Sequence, residues 1–171
     1  MKAFSKQILL LLLLCLLASN AHGVSETQIK AVFLEKFTHL IEWPQDDNES
    51  FVICVVKDKN FASALKEIYT EKSFKNKKVK ILNIEEGEKI PNCQLLFIGK
   101  STKNINRIIS SIGTRSVLTV SDNKDNIPED VMITMFLNKS RFKYIINNRA
   151  AQKANVKISY LLLKSAQEVI K

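Results

Sequence analysis

The fold is decided by three apolar stretches, residues 51–56 (FVICVV), 95–98 (LLFI) and 116–120 (SVLTV). Short runs with almost no polar alternation are typical of strands that are buried on both faces of a parallel sheet. Segments with helical periodicity lie between these runs. The sequence therefore predicts a single compact α/β domain whose mainly parallel sheet is flanked by helices.

The spacing of apolar residues places most of the other elements. Helices are predicted over Gln28–Trp43, Phe61–Tyr69 and Lys103–Ile112. Residues 78–84 alternate between polar and apolar and predict a more exposed strand. Two further strands, over residues 131–137 and 141–146, are separated by Asn-Lys-Ser and predict a β-hairpin that forms an edge of the sheet.

The end of the chain is predicted to be helical. Asn147 is a suitable N-cap for a short helix, and Asn155 stands where a residue of left-handed conformation would stop that helix. Ser159 opens a last helix that reaches Ile170, with Leu161 among its inward-facing residues. These terminal helices complete the predicted domain.

Residues 1–23 have the three parts of a secretory signal. Two lysines give a positive start, an apolar stretch covers residues 8–18, and the small residues Ala21 and Gly23 allow cleavage after Gly23. A membrane anchor is the alternative, but a spanning helix needs about 20 apolar residues. A lipoprotein site would need a small residue before Cys15, where a leucine stands. We therefore predict that residues 24–171 form the mature domain and that it lies in the periplasm.

Cys54 and Cys93 are the two cysteines left after removal of the leader. Disulfides persist in oxidising compartments, so an exported chain with one such pair is predicted to form one bridge. The alternative is two inert buried thiols. A bridge would close about 39 residues and contribute about 4 kcal/mol to stability.

The chain is basic. Its formal net charge is +9, and removal of a leader with two lysines and no acidic residue leaves +7. In a cytosolic protein this charge would favour a nucleic acid as partner. Behind an export signal it predicts no nucleic-acid partner and instead favours an anionic membrane surface or an acidic protein. The alternative is a solvated, lysine-rich surface.

The residues needed for common catalytic sites are missing. His39 is the only histidine of the mature chain, and one histidine can build neither a zinc site nor, without a G-x-S-x-G turn, a hydrolase triad. The cysteines lack C-x-x-C spacing, and the few glycines form no phosphate-binding loop. The sequence predicts no catalytic, metal or cofactor site, and a hydrolase or thiol enzyme is a remote alternative.

Polar residues follow three of the predicted strands. They are Lys57-Asp58, Lys100-Ser101 and Ser121-Asp122. Ligands of open α/β sheets bind at the carboxyl ends of the strands, so these residues are candidates for a crevice that takes a small anion or metabolite. The alternative is that they are polar simply because loops are.

Several blocks of sequence, in order, resemble the YfiR-like periplasmic regulators. The blocks are residues 30–37 (KAVFLEKF), 42–44 (EWP), 51–56 (FVICVV), 93–99 (CQLLFIG), 117–122 (VLTVSD), 141–147 (RFKYIIN), 150–151 (AA) and 158–162 (ISYLL). They cover essentially the whole predicted mature chain.

The resemblance implies a compact α/β domain, often a homodimer, that binds the periplasmic sensor domain of an inner-membrane diguanylate cyclase and holds the enzyme inactive. Loss of such a repressor raises cyclic di-GMP and favours biofilm. The family's first cysteine pair corresponds to Cys54 and Cys93, but a second pair has no counterpart here. Glu129-Asp130 stand where the family has Gly-Gly, and Asn155 replaces a glycine. The alternative function is a small-ligand-binding module that feeds another membrane sensor, such as a histidine kinase.

Overall fold

The computed structural model describes residues 24–44, 48–125, 127–139 and 141–171. The leader predicted over residues 1–23 lies outside this part of the chain. The helices are α1 Glu26–Thr38, α2 Lys59–Ile68, α3 Ile105–Ile112, α4 Asn148–Lys153 and α5 Tyr160–Ser165. The strands are β1 Ile41–Glu42, β2 Ser50–Val56, β3 Ser73–Phe74, β4 Lys77–Ile84, β5 Leu95–Ile98, β6 Leu118–Ser121, β7 Ile133–Asn138, β8 Arg141–Asn147, β9 Lys157–Ile158 and β10 Glu168–Ile170.

Within the described residues, eight strands form one sheet in the order β10-β8-β7-β6-β5-β2-β4-β3. The central strands β4, β2, β5, β6 and β7 are parallel to one another, whereas β3 is antiparallel to β4 and β8 is antiparallel to β7. A short antiparallel pair, β1 with β9, lies outside this sheet. The predicted α/β class with a mainly parallel sheet is therefore confirmed, and so is the β7–β8 hairpin.

Apolar cores lie on both faces of the sheet. The larger core joins one face to α1, α2, α4 and α5, through residues such as Leu34, Leu65 and Leu162. The smaller core lies beneath α3, whose buried side chains are Ile105, Ile108 and Ile112, and it contains both cysteines. Burial of the central strands between these cores explains why their sequences lack polar alternation.

Aromatic contacts hold α1 against the hairpin. The ring of Phe33 stacks on that of Phe142, with centroids 3.6 Å apart. One turn later, Phe37 packs against Tyr144 at 4.8 Å. These contacts account for the aromatic residues of the 30–37 block, because they are spaced to reach one face of β8 from successive turns of the helix.

Helix α1 ends at Thr38, so the prediction of a helix to Trp43 was wrong. The indole nitrogen of Trp43 donates a hydrogen bond to the Thr38 carbonyl at 2.7 Å, and the ring packs edge-on against Phe51. Ile41 pairs with Ile158 in the β1–β9 ladder. Tertiary contacts thus end the helix six residues before Pro44, which would in any case stop it.

The last helix is also shorter than predicted. Ser159 caps α5 as expected, but the helix ends at Ser165, and Gln167 N then donates to Tyr144 O at 2.9 Å. Residues 168–170 become β10, which pairs in parallel with β8, so the hairpin is not the outermost part of the sheet as expected. Leu161, predicted to face inward, is 66 % exposed. Pairing with β10 provides hydrogen-bond partners for the edge of β8, which another helical turn would leave open.

None of the helices in the described part of the chain combines the length and the apolar character needed to cross a bilayer.

Candidate functional site

The carboxyl ends of β2, β5 and β6 bring the predicted crevice residues side by side. Val56 is in register with Ile98, and Ile98 is in register with Ser121. The residues that follow, Lys57-Asp58, Gly99-Lys100-Ser101 and Asp122, therefore share one end of the sheet. Lys57 adopts the left-handed backbone conformation with a φ of 58°, which turns the chain sharply out of β2.

The polar groups at this end of the sheet bond to one another. Lys100 N donates to Asp122 Oδ1 at 2.7 Å, and Ser101 Oγ donates to the Lys57 carbonyl at 3.2 Å. Asp58 caps α2 by accepting from Phe61 N at 2.9 Å. The Ser121 hydroxyl accepts from Asn123 N at 3.2 Å. Most of the predicted ligand groups are thus already engaged in holding the loops.

Lys30 of α1 covers this end of the sheet, although it is not among the site residues predicted from the sequence. Its Nζ lies 2.9 Å from Asp122 Oδ2 and 2.6 Å from Glu26 Oε1. Only 6 % of Lys30 and 7 % of Asp122 is exposed, so this ion pair is buried. One signal was available, because Lys30 stands four and seven residues before the core residues Leu34 and Phe37 and so falls on the apolar stripe of the helix.

The network shifts the ionisation of its members. Burial alone would lower the pKa of Lys30, but the hydrogen bonds to Asp122 and Glu26 outweigh burial and hold that pKa above the ordinary lysine value. The hydrogen bond from Lys30 holds the pKa of Glu26 below its ordinary value. Lys30 is therefore a cation in the folded protein and a structural counter-ion for Asp122.

Gly99 makes the closest backbone approach in this region. A Cβ there would lie 3.0 Å from Val56 O and 3.2 Å from Lys57 O. Gly99→Ala is expected to lower the free energy of unfolding by about 1–3 kcal/mol, because backbone atoms of β2 would have to move. Urea unfolding measures the effect. Ser110→Ala on the exposed face of α3 is the control, and an equal, small effect of both substitutions would contradict the prediction.

Cys54 and Cys93 are neighbours in the smaller core, but in this structure they are free thiols and not a disulfide. Gln94 fixes their proximity: Gln94 N donates to Val52 O at 3.0 Å, and Gln94 Oε1 accepts from Val52 N at 2.8 Å. The hydrogen bond with Cys93, together with burial, raises the pKa of Cys54. The same hydrogen bond lowers the pKa of Cys93 against the effect of burial, and Arg115 lowers it further. The two thiols therefore ionise as a coupled pair, in which one thiolate accepts the hydrogen bond of the other thiol.

His39 stands apart from the crevice and from the cysteines. It is exposed at the end of α1, with Nε2 3.4 Å from Glu35 Oε1 and its ring edge-on to Phe74. Across the described residues, no group of three or more His, Cys, Asp or Glu side chains is arranged to hold a metal ion.

A pocket of about 430 Å³ lies at the opposite, amino end of the strands. Thr119 and Asp130 line it together with Arg115 and Lys153. The Arg115 guanidinium is engaged in structure, because it donates to the carbonyls of Ile112 and Pro91. The Thr119 hydroxyl accepts from Met132 N at 3.1 Å. The polar groups of this pocket therefore serve mainly to join α3 and the start of β7 to the sheet.

Two large apolar side chains are exposed next to each other on α5. Tyr160 is 71 % exposed and Leu161 is 66 % exposed. Tyr160 also lines a shallow groove with Leu163 and Val169, so apolar atoms continue from the helix towards β10. We call Tyr160 and Leu161 the α5 patch.

A family model described as YfiR/HmsC-like matches residues 27–167. The match begins within α1 and ends just before β10, so it spans the α/β fold described above. No curated protein matches the chain.

Proposed function

This chain belongs to the YfiR/HmsC-like family, and on that premise we propose that it is a periplasmic, non-enzymatic repressor of an inner-membrane signalling protein. The partner is a diguanylate cyclase, whose periplasmic sensor domain the protein binds, and repression lowers cyclic di-GMP and limits biofilm. The observation that carries the proposal is the family match, which covers nearly all of the predicted mature chain. The secretory leader predicted over residues 1–23 supports the periplasmic location.

The α5 patch supports action by protein contact. Exposed single apolar residues are common, but an adjacent tyrosine and leucine beside an apolar groove have the composition of an interface core. Such a pair is covered when a partner binds. We propose the patch as part of the surface that contacts the sensor domain.

The state of the crevice favours protein contact over the ligand-binding alternative. The crevice residues donate to or accept from one another, and Lys30 closes their end of the sheet. A small anion would have to displace these bonds.

Two further expectations from the sequence stay proposals: a homodimer, and a disulfide between Cys54 and Cys93 in the exported protein.

Deletion of the gene tests the function. Cyclic di-GMP is expected to rise and biofilm to increase, because the cyclase loses its repressor, and expression of the wild-type protein is expected to reverse both. Mass spectrometry of nucleotide extracts measures the change. An unchanged cyclic di-GMP concentration in several growth states would refute the cyclase as target.

Variants of the α5 patch test the contact surface. The double substitution Tyr160→Ser and Leu161→Ser is expected to abolish complementation of the deletion while leaving the melting temperature nearly unchanged, because exposed residues contribute little to stability. Val32→Ser removes another apolar side chain that is 41 % exposed, on α1, and serves as the control. Full complementation by the α5 double variant would show that the partner binds elsewhere.

A further inference from the structure

The edge of the sheet formed by β3 and β4 is rich in lysine. Residues 72–80 (KSFKNKKVK) contain five lysines and no acidic residue. They form a β3–β4 hairpin in which Ser73 is in register with Lys78 and Phe74 with Lys77. Along the sheet, this edge is the one opposite β10 and its neighbour α5.

Alternation along β4 directs two of these lysines to one face of the sheet. Val79 and Ile81 pack on the larger core. Side chains alternate along a strand, so Lys78, Lys80 and Leu82 project from the other face. Both lysines are exposed, and Leu82 is 37 % exposed. We call these three residues the lysine face.

The charges of the lysine face are not neutralised. Among the described residues, neither Lys78 nor Lys80 has a carboxylate within ion-pair distance, whereas Lys72 at the start of the hairpin pairs with Glu35. Glu49 borders a shallow groove with Lys80 and Val52 but forms no ion pair with that lysine. An extended positive surface therefore points into solvent beside an apolar side chain.

We propose that the lysine face binds the surface of an anionic phospholipid bilayer. Lysine ammonium groups near such a surface are attracted without needing a fitted partner, and each adds about a fivefold gain in binding. A protein interface would instead be expected to exclude lysine from its centre and to present arginine or aromatic residues, none of which the lysine face contains. Leu82 lies between the strand surface and the headgroups, where an apolar side chain can be buried.

Lipid binding by the lysine face is compatible with the proposed function. Only the biological setting of that binding, a repressor at the inner membrane, rests on the proposed function. A repressor held at the periplasmic surface of the inner membrane meets a membrane-bound partner at a raised local concentration. The α5 patch belongs to the other edge of the sheet and stays free for that partner. Binding to lipid is measured without any cyclase, so the two proposals can fail independently.

Vesicle sedimentation tests the proposal with the exported protein purified from the periplasm. Vesicles of phosphatidylcholine alone are compared with vesicles that also contain phosphatidylglycerol. The wild-type protein is expected to bind only the anionic vesicles and to be released as salt is raised, because salt screens exposed charges. The double variant Lys78→Gln and Lys80→Gln is expected to bind about 30-fold more weakly.

Lys153→Gln with Lys164→Gln is the matched control, because both lysines are exposed and without an ion pair among the described residues, and they lie on α4 and α5 at the β10 end of the sheet, remote from β4. It removes the same net charge and is expected to weaken binding much less. Equal losses in both double variants would show that net charge, and not this surface, attracts lipid. Absence of wild-type binding to anionic vesicles at low salt would also overturn the proposal, and the lysines would then only protect a strand edge from pairing. Unchanged melting temperatures would confirm that all variants fold.

Discussion

Lys30→Met is expected to lower the free energy of unfolding by about 3–5 kcal/mol. The substitution keeps a long side chain on α1 but leaves the buried Asp122 carboxylate without its cation. Among the described residues, only the backbone donor Lys100 N, at 2.7 Å, then remains as a hydrogen-bond partner of Asp122. An uncompensated buried charge costs far more than the lost attraction of a surface pair.

Urea unfolding of the purified protein measures this effect. Lys36→Met is the control, because it makes the same substitution at an exposed position of the same helix, and it is expected to change stability by no more than about 0.5 kcal/mol. Adding Asp122→Asn to Lys30→Met removes the stranded charge and is expected to restore part of the loss. Equal effects of the two methionine variants would contradict the assignment of a buried ion pair.

The pH dependence of stability gives a second readout of the same pair. The folded pKa of Lys30 is above its ordinary value, so its contribution is fully present below the unfolded pKa of about 10.4 and is lost as pH rises through the folded pKa. The wild type is therefore expected to lose stability in strongly alkaline solution more steeply than Lys30→Met does. Parallel curves would mean that the lysine is not coupled to folding.

Reduction of the exported protein is expected to lower its free energy of unfolding by about 4 kcal/mol, the chain-entropy value for a loop of about 39 residues. In the proposed periplasmic location, oxidation would remove two electrons and two protons from Cys54 and Cys93, and a disulfide of the oxidising machinery there would accept them. The thiolate of one cysteine attacks that disulfide to form a mixed disulfide, and the other cysteine then displaces the carrier thiol. Contact between the two thiols in the folded domain makes the second step intramolecular.

Thiol counting and thermal unfolding test this prediction together. The exported protein unfolded in denaturant without reductant should have no free thiol, and denaturant is needed because both cysteines are buried in the folded state. Reductant should release two thiols and, without denaturant, lower the melting temperature of the folded protein. A Cys54→Ser and Cys93→Ser double variant is the control, because its stability should resemble that of the reduced protein and ignore reductant. Two free thiols in the protein unfolded without reductant would refute the bridge.

The sequence predicted the centre of the sheet well. The stretch at 95–98 is β5 to the residue, and 51–56 lies within β2. Burial on both faces requires nearly every residue of such a strand to be apolar, so the strand can be recognised from its sequence without knowledge of the neighbouring strands. Local backbone chemistry was also predictable: the Asn147 side chain caps α4 by accepting from Ala150 N, and Asn155 has a φ of 54°.

Prediction failed where an element ends because of a distant contact. Trp43 was predicted to be the last residue of α1 but instead packs on Phe51. Residues 168–170 were predicted to be helical but instead pair with β8. Both segments have helical periodicity of their own, and periodicity describes only which face a helix would bury. Periodicity carries no information about a strand edge or an aromatic ring elsewhere in the fold with which the same residues make a more favourable contact.

By itself, the sequence determined the α/β class, the central strands, the caps of the short helices and the family resemblance. Only the tertiary structure decided which lysine is buried, since Lys30 becomes a core residue through an aspartate 92 positions away. It likewise decided that Lys78 and Lys80 stay unpaired on one face and that Leu161 faces solvent. The physical reason is that local patterns record the preference of each residue for burial or backbone conformation, whereas the energy of a charge depends on which groups the completed fold places around it.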